Sequence, residues 1–291
     1  MGLPGSGKSS YAKEYLKDHI ENTVWCSSDN IRKELYGDEN IQGNADTVFH
    51  KLHNKVAQYL RQDYTVLYDA TNVNRKSRKS IIAIAKAIKA DIHGIIIWAS
   101  LEECIKRDSE RERTVGQQVI DKFIKRWESP YYDEGFDSLE IIYNSEVWPL
   151  EYMQKLFNDM KIPHDNPHHS LDIQDHCKQA ESLMANEVPG DGKLQLIMRY
   201  HDCGKPYTKF FKEEDPTHAH YYSHNNVGGY LIYGVYAGLE DEEEFKDSLL
   251  FVSWAITNHM EPFFNSKYYQ NMDPKLKYFI DIIHKCDRLA H

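Results

Sequence analysis

A glycine-rich segment at the start of the chain constrains the fold more than any other feature. Residues 2–9, Gly-Leu-Pro-Gly-Ser-Gly-Lys-Ser, match the pattern GxxxxGK[ST] in full, and a helical pattern follows at once. Glycines allow successive backbone N–H groups to converge on nucleotide phosphates, and the N-terminus of the following helix attracts the same negative charge. The helix directly downstream argues against a glycine-rich turn that arose by chance. The predicted nucleotide-binding residues of this phosphate loop are Gly2, Gly5, Ser6, Gly7, Lys8, Ser9 and Ser10.

Short apolar runs rich in β-branched residues alternate with amphipathic stretches through the first half of the chain. The predicted strands are residues 23–27, 65–69, 92–99 and 139–143, and the predicted helices are residues 9–20, 45–61, 76–89, 101–110 and 117–127. Alternation of this kind requires crossover connections, which produce a parallel sheet flanked by helices. The expected fold class of this half is therefore α/β.

The second half lacks this alternation, and its apolar residues recur at helical spacing. The predicted helices are residues 172–187, 193–200, 225–234, 242–259 and 274–289. This half is therefore expected to be all-α. Pro149, Pro163 and Pro167 surround one short amphipathic segment and indicate a boundary. We expect a first domain at residues 1–148, a linker at 149–166 and a second domain at 167–291.

The chain begins immediately before the phosphate loop. A central strand leads into such a loop in α/β folds, yet Met1 stands directly before Gly2. Loss of a central strand would leave unpaired backbone groups and a hole in the core. We therefore expect the natural protein to have several more apolar residues upstream.

Polar residues after the predicted strands are suited to handle an acceptor and a metal. Asp29 follows strand 23–27, where it could take a proton from an attacking hydroxyl or cap a helix, and Arg32 could hold a phosphate. Lys8 is expected to neutralise charge on the donor phosphates and Ser9 to bind Mg²⁺. Asp69, at the end of strand 65–69, is typical of residues that order Mg²⁺ or its waters.

Three arginines lie in and just after the predicted helix 101–110. Arg107, Arg111 and Arg113 are close together in the sequence, where a mobile lid could close on phosphates. The alternative is that these arginines lie on a solvated helix face without a ligand.

Histidines concentrate in the second half, which holds eleven of the fifteen. His201 and Asp202 are adjacent at the end of a predicted helix, so that both can reach one metal lying beside it. His176 on the preceding helix and Asp287 on the last helix would complete the set. Two histidines and two aspartates suit a divalent transition metal or Mg²⁺, which lowers the pKa of bound water.

The phosphate loop, Ser-Ser-Asp-Asn-Ile-Arg at 27–32, Asp-Ala-Thr-Asn-Val-Asn-Arg at 69–75 and the arginine-bearing lid together resemble the 5′-hydroxyl polynucleotide kinase family over roughly residues 1–145. The resemblance implies that ATP, or another NTP, binds with Mg²⁺ at Lys8 and Ser9. It also implies that Asp29 is the general base, that Arg32 contacts the acceptor phosphate, and that a lid arginine grips the donor phosphates.

The order His176, His201-Asp202, Asp287 resembles the H…HD…D pattern of the HD phosphohydrolase superfamily over about residues 165–291. The resemblance implies a metal-dependent hydrolase with one or two divalent ions of the Mn, Mg, Zn, Ni or Fe class. It implies that Lys205 contacts substrate phosphate. Two-metal members use extra histidines, for which His224 and His259 are candidates; the alternative for both is a surface or core histidine.

The two resemblances together suggest a bifunctional enzyme that heals RNA or DNA ends. It would phosphorylate 5′-hydroxyl ends and remove 3′-phosphates or 2′,3′-cyclic phosphates, leaving ends that a downstream nucleic-acid ligase can seal. One alternative is a small-molecule or nucleoside kinase fused to a nucleotidase. Another is a kinase fused to an HD module that senses nucleotides without hydrolysing them.

Composition limits the setting in which the chain works. A hydrophobic content of 41% with 27% charged residues is typical of a globular protein. The net charge of −10 argues against a protein that grips long duplexes electrostatically. No run approaches the roughly 20 apolar residues that span a bilayer, so no membrane partner is expected. Five scattered cysteines without a CxxC motif favour a reducing compartment, and we expect the cytoplasm.

Overall fold

The chain is described by a computed structural model. It describes residues 1–19, 21–112, 114–166, 170–236 and 243–290. Within these residues no helix is both long enough and apolar enough to cross a membrane. All five cysteines belong to the described part of the chain, and each is a buried thiol.

The N-terminal half consists of parallel strand pairs with helices packed around them. Strand β1 (Thr23–Ser27) pairs with β2 (Thr65–Asp69), and β3 (His93–Trp98) pairs with β4 (Ser138–Tyr143), both in parallel register. The helices are α1 (Lys8–Asp18), α2 (Ser28–Tyr36), α3 (Ala45–Leu60), α4 (Arg75–Ile88), α5 (Leu101–Ser109) and α6 (Gln117–Ile124). The predicted parallel strands flanked by helices are confirmed. Sequence analysis missed α2, and the predicted end of α1 at Ile20 lies outside the described residues.

A cavity of about 200 Å³ lies between β2 and β3. Val66 and Tyr68 of β2 form part of one wall, and Ile95 of β3 forms part of the other. Met1 lies at the end of the cavity next to the phosphate loop. Its amino group donates to the carbonyl of Ile95 (2.6 Å), and its carbonyl accepts from the N–H of Ile97 (2.8 Å). The cavity is therefore bounded by β2, β3 and Met1.

The C-terminal half is mainly helical, as predicted. Its helices are α7 (Pro149–Asp159), α8 (Ile173–Glu187), α9 (Gly192–Tyr200), α10 (Lys205–Thr208), α11 (His224–Leu231), α12 (Glu243–Asn258), α13 (Glu261–Phe264), α14 (Lys267–Gln270) and α15 (Pro274–Leu289). The all-α prediction is wrong in one respect, because β5 (Phe210–Lys212) and β6 (Asp215–His220) form an antiparallel hairpin between α10 and α11. The hairpin is too short to produce a clear two-residue periodicity in the sequence.

One continuous hydrophobic core joins the two halves. Trp98, at the end of β3, donates its indole N–H to the carbonyl of Tyr230 (3.0 Å), and the Tyr230 hydroxyl donates to the carbonyl of Ala99 (2.8 Å). Tyr152 and Leu156 of α7 are buried in the same core, although α7 lies within the predicted linker. The domain boundaries at 148 and 167 stay a prediction.

Candidate functional sites

The phosphate loop turns sharply before α1 and requires glycine at two positions. Gly5 has φ of 82° and Gly7 has φ of 99°, values that side chains rarely adopt. A Cβ atom at Gly5 would collide with the carbonyl of Cys104, and one at Gly7 would collide with the Asn144 amide. The amide of Asn144 donates to the carbonyl of Ser6 (2.8 Å), so that a residue following β4 braces the loop.

The loop fits a bound phosphate group. Helix α1 begins at Lys8 without a side-chain cap among the described residues, which leaves its first N–H groups for a ligand. Burial lowers the pKa of Lys8 to about 8, and the charge of Asp69 opposes this shift. Its ammonium donates to the carbonyl of Leu3 (2.6 Å). The hydroxyl of Ser6 is buried and has no hydrogen-bond partner within the described chain.

The two residues predicted to bind Mg²⁺ lie in contact beside the phosphate loop. The hydroxyl of Ser9 donates to Oδ2 of Asp69 (3.1 Å), although the two residues are 60 positions apart. A hydroxyl and a carboxylate at this distance provide oxygen ligands of the kind that Mg²⁺ prefers. Ser10, the last predicted residue of the loop, is exposed on the first turn of α1.

The predicted acceptor residues lie at the start of α2. The hydroxyl of Ser27 caps this helix by accepting from the N–H of Asn30 (3.0 Å), so Asp29 is not the cap. Arg32 donates to Oδ1 of Asp29 (2.7 Å), and the side chains are 13% and 47% exposed, respectively. The Arg32 Nε–H is buried without a partner among the described residues. It is therefore a donor that a bound anion can satisfy.

The segment behind β2 is held by buried polar contacts. Asn74 caps α4 by accepting from the N–H of Ser77 (2.9 Å). Arg78 is 1% exposed, forms a two-point ion pair with Glu134 (2.6 and 2.7 Å), and donates to the carbonyl of Asn72 (3.0 Å). Arg78 is thus fully engaged in shaping the loop that bears Asn72. The Oδ1 of Asn72 is buried and lacks a partner in the described chain.

The three predicted lid arginines differ in their surroundings. Arg107 donates to the carbonyl of Asn144 (2.7 Å), next to the phosphate loop. Arg111 is exposed just after α5, and its charge adds to the effect of burial in lowering the pKa of Lys8. Arg113 lies outside the described residues. The segment between α5 and α6 is tethered close to α6, because the carboxylate of Asp108 accepts hydrogen bonds from the N–H groups of Val115 and Gly116.

The predicted HD residues converge in the C-terminal half. Nε2 of His176 and Nε2 of His201 are 3.3 Å apart, and both lie close to Oδ1 of Asp287, at 3.0 and 3.2 Å. Oδ2 of Asp202 lies 3.6 Å from the first ring and 3.4 Å from the second. Helix α8, the end of α9 and helix α15 therefore bring together four residues separated by up to 111 positions in sequence.

His224 and His259 complete a second group on the other side of Asp202. Their Nε2 atoms are 3.3 Å apart, and they lie 3.3 and 3.9 Å from Oδ1 of Asp202. Asp202 thus presents one carboxylate oxygen to each histidine pair. Both groups have the composition and spacing to hold a metal ion. We refer to the six residues as the histidine–aspartate cluster: His176, His201, Asp202, His224, His259 and Asp287.

The hydrogen bonds of the four rings show that the cluster fits a cation. Each Nδ1 atom faces a backbone carbonyl at 2.6 to 2.9 Å, and a carbonyl can only accept a hydrogen bond. Nδ1 therefore carries the proton, and Nε2 of a neutral ring presents a lone pair. Two facing lone pairs at 3.3 Å repel each other unless a proton or a metal cation lies between them.

The electrostatics of the cluster favour positive charge next to Asp202. Burial opposes ionisation of Asp202, but the charges of Lys205 and His201 outweigh it and hold the pKa of Asp202 well below its usual value. Burial likewise opposes protonation of His201, yet Asp202 raises the pKa of His201 well above the usual range. Burial and the neighbouring His224 lower the pKa of His259 to about 3.

Lys205 and a histidine that the sequence analysis passed over lie at the edge of the cluster. The Lys205 ammonium is 2.6 Å from Oδ2 of Asp202 and 3.2 Å from Nε2 of His164. His164 is 2% exposed, and its Nδ1 donates to the carbonyl of Leu171 (2.9 Å). Its position within the predicted linker concealed this contact, because no spacing pattern connects His164 to Lys205.

Comparisons with known proteins agree with the geometry of the N-terminal half. Residues 1–130 match the protein family described as AAA domain. The L-seryl-tRNA(Sec) kinase of Methanococcus maripaludis is 24% identical over 207 residues, which cover 68% of this chain and 76% of that protein. The N-terminal half is thus a P-loop kinase-like domain, which supports a phosphotransferase and implies ATP and Mg²⁺. The family match ends before the histidine–aspartate cluster.

Proposed function

We propose that this chain heals nucleic-acid ends, with a 5′-hydroxyl kinase in its N-terminal half and a metal-dependent phosphohydrolase of the HD type in its C-terminal half. The observation that supports it most is the presence of two sites suited to phosphate chemistry in one chain. One site has a phosphate loop with an acceptor-side carboxylate, and the other has a histidine–aspartate cluster with a lysine beside it. RNA or DNA ends are the proposed substrates, and a ligase is the proposed next enzyme.

In the proposed kinase reaction the side chains around the phosphate loop hold donor and acceptor in line. Lys8 and the N–H groups of the loop bind the donor phosphates. Asp29 accepts the proton of the 5′-hydroxyl, whose oxygen forms a bond to the γ-phosphorus while the bond to the β-phosphate oxygen breaks and ADP leaves. The unpaired Nε–H of Arg32 is suited to bind the phosphate next to the acceptor hydroxyl.

In the proposed hydrolase reaction the histidine–aspartate cluster would hold one or two divalent cations. Such ions supply a bound water of lowered pKa and polarise a phosphoryl oxygen. The ligands on the first side are His176, His201, Asp202 and Asp287, and those on the second are Asp202, His224 and His259. The ammonium of Lys205 is suited to bind the substrate phosphate, and His164 holds that ammonium in place.

The named relative supports a second candidate for the kinase half. That protein is called an L-seryl-tRNA(Sec) kinase, so its acceptor is a hydroxyl carried by an RNA. The aligned length exceeds the 130 residues of the family match, so the similarity extends beyond α6. A seryl hydroxyl on a tRNA is therefore the competing acceptor. Nucleosides and other small molecules are a third class, and a nucleotide-sensing module is the alternative for the C-terminal half.

One experiment separates these candidates. The protein is incubated with labelled ATP and, in parallel, an RNA with 5′-hydroxyl and 2′,3′-cyclic phosphate ends, a seryl-tRNA and free nucleosides. The proposal expects label on the 5′ end and a 3′-hydroxyl at the other terminus. Asp29→Asn should lose the first product and Asp202→Ala the second. Label on seryl-tRNA alone would replace the kinase half of the proposal, and an unchanged 3′ terminus with every divalent metal would refute the hydrolase half.

A further inference from the structure

The stretch of chain at residues 162–165 is fixed between α8 and the β5–β6 hairpin. On one side, Pro163 forms an antiparallel bridge with Asp172, which directly precedes α8. On the other side, the carbonyl of Asp165 accepts a hydrogen bond from the N–H of Ala219 in β6 (2.8 Å). We call residues 162–165 the bridging segment. Its backbone is thus attached to two separate elements of the C-terminal half.

Two lysines at the ends of α10 also contact the bridging segment. Lys209, which follows the last residue of α10, donates to the carbonyl of Pro163 and to the carboxylate of Asp165, both over 2.6 Å. Lys205, the first residue of α10, places its ammonium 3.2 Å from Nε2 of His164. Because these contacts fall on three consecutive residues of the segment, they fix His164 relative to α10.

The ring of His164 is buried and presents a hydrogen-bond acceptor to Lys205. Its Nδ1 lies 2.9 Å from the carbonyl of Leu171, and a carbonyl can only accept a hydrogen bond. The proton therefore lies on Nδ1, and Nε2 carries the lone pair that faces the ammonium. The backbone of His164 is fixed as well, because its carbonyl accepts from the hydroxyl of Tyr221.

The hydrogen bonds of the Lys205 ammonium leave one donor for a ligand. Lys205 is 8% exposed, and an ammonium has three N–H donors. Within the described residues, one donates to Oδ2 of Asp202 (2.6 Å) and one to Nε2 of His164. The ring centroid of Tyr221 is 5.5 Å away, beyond hydrogen-bond distance. A buried third donor beside the histidine–aspartate cluster is suited to a phosphate oxygen.

We propose that His164 is a positioning residue of the C-terminal site. Together with Asp202 it orients the ammonium of Lys205, so that the third N–H faces the phosphate of the substrate. The inference rests on the proposed phosphohydrolase function. A lysine side chain is flexible, and two fixed acceptors order it before the substrate binds, which lowers the entropic cost of binding. Loss of the acceptor in His164 therefore weakens phosphate binding while the metal ligands and the lysine itself remain.

Two substitutions of His164 separate the acceptor from the structural contact. His164→Asn keeps a donor for the carbonyl of Leu171 and removes the acceptor, whereas His164→Gln keeps an acceptor near the position of Nε2. The measurement is hydrolysis of a single-stranded RNA with a 3′-phosphate by the full-length protein loaded with Mn²⁺. His164→Asn should raise KM roughly 10- to 100-fold, the range in which outer partners of metal sites act, with kcat close to that of wild type. His164→Gln should recover most of this loss.

A histidine on the neighbouring strand provides the matched control. His218 of β6 has a side chain that is 46% exposed and is paired with Asp215 at 2.7 Å. His218→Ala should leave KM unchanged. Elemental analysis should find as much Mn²⁺ in His164→Asn as in wild type, and thermal melting shows whether each variant is folded. A purely structural role for His164 predicts the reverse order, with His164→Gln the more damaged variant, and that result would overturn the inference.

A double-mutant cycle tests whether His164 acts through Lys205. Lys205→Met removes the ammonium and keeps a side chain of similar length. In the Lys205→Met background, His164→Asn should cause no further rise in KM, because the group that it orients is already absent. An equal rise in both backgrounds would overturn the inference while leaving the hydrolase intact.

Binding of inorganic phosphate distinguishes failure of the inference from failure of the proposed function. Calorimetry with the Mn²⁺-loaded protein should give a Kd that rises in His164→Asn by a factor similar to that of KM and stays near wild type in His164→Gln. If the wild-type protein releases no phosphate from any substrate but shows this pattern, the hydrolase fails and the positioning role stands. Equal phosphate binding by all three proteins, or none by the wild type, would overturn the positioning role.

Discussion

The guanidinium of Arg75 donates to Oδ1 of Asn258 over 2.9 Å, and Asn258 directly precedes His259. The same guanidinium lies 3.7 Å from the centroid of the Tyr268 ring. Arg75 begins α4, immediately after the segment that follows β2, so a residue next to the kinase site is held by two elements of the C-terminal half. The backbone of Arg75 is also fixed, because its N–H donates to the carboxylate of Glu128 (2.6 Å).

Replacement of Arg75 by alanine should destabilise both halves together. The change removes a charged hydrogen bond and a stacked cation, and it leaves the amide oxygen of Asn258 without that donor, at a cost of about 1–3 kcal/mol. Denaturant unfolding followed by fluorescence would give the free energy of unfolding. Arg75→Lys keeps the charge but not the planar stack, so it should recover only part of the loss. A variant as stable as wild type would show that the two contacts of Arg75 do not help to hold the halves together.

The strands and helices near the phosphate loop were predictable because their signals are local. Alternating apolar runs fix strand positions, and β1 and β2 have the predicted bounds. Four of the cluster residues were also accessible, because an adjacent histidine and aspartate is a local pattern with a known order of partners. For the strands the information lies within a few residues of each element, whereas for the cluster it lies in the adjacent His201 and Asp202 and in the order of the resemblance that adds His176 and Asp287.

The features that escaped prediction depend on tertiary contacts. The buried pair of Lys205 and His164 brings together residues 41 positions apart that share no spacing pattern. Arg75 and Arg78 follow closely behind β2 in the sequence, and each is held by a partner from a distant element, Asn258 and Glu134 respectively. Whether an arginine faces a ligand or a buried carboxylate depends on the residues that pack against it. A single sequence does not reveal those packing partners.

Binding of ATP should take up a proton at alkaline pH because of Lys8. Burial lowers the pKa of this ammonium to about 8, from the ordinary value of 10.5, so most of it is neutral at pH 9 in the free protein. The phosphates of bound ATP favour the charged form of Lys8, so nucleotide binding would restore the proton to this side chain. Calorimetry in buffers of different ionisation enthalpy should show uptake of roughly one proton per nucleotide at pH 9 and almost none at pH 7. Lys8→Met should abolish the buffer dependence.

The lowered pKa of Lys8 also determines whether the free energy of unfolding rises or falls with pH. Between pH 8 and pH 10.5 the unfolded chain binds more protons at Lys8 than the folded chain does, so the contribution of this group to the free energy of unfolding rises with pH through that window. In Lys8→Met that contribution is absent. A wild-type profile that falls relative to the variant over this window would contradict the lowered pKa.

Asp29 and Arg32 should affect different steps of phosphoryl transfer. Asp29→Asn removes the proposed base but keeps the shape of the side chain, so kcat should fall by roughly 10²–10⁴-fold while nucleotide binding stays close to that of wild type. Arg32→Ala should chiefly raise KM for an acceptor with a phosphate beside its hydroxyl. Steady-state kinetics with 5′-hydroxyl oligonucleotides and fluorescence titration with ATP separate the two effects. If Asp29→Asn transfers phosphate at the wild-type rate, another group is the base.

Asp202 should determine the metal content of the C-terminal site because it touches both histidine pairs. One of its oxygens lies 3.3 Å from Nε2 of His224, and the other lies 3.4 Å from Nε2 of His201. Elemental analysis after loading with Mn²⁺ should give about two ions per wild-type chain, about one in His259→Ala and almost none in Asp202→Ala. A chelator should lower the melting temperature of the wild type, since an ion present at 100 times its Kd contributes about 2.7 kcal/mol. The melting temperature of Asp202→Ala should not change with the chelator, because this variant holds almost no metal that the chelator could remove. Equal metal content in all three proteins would remove the cluster as the binding site.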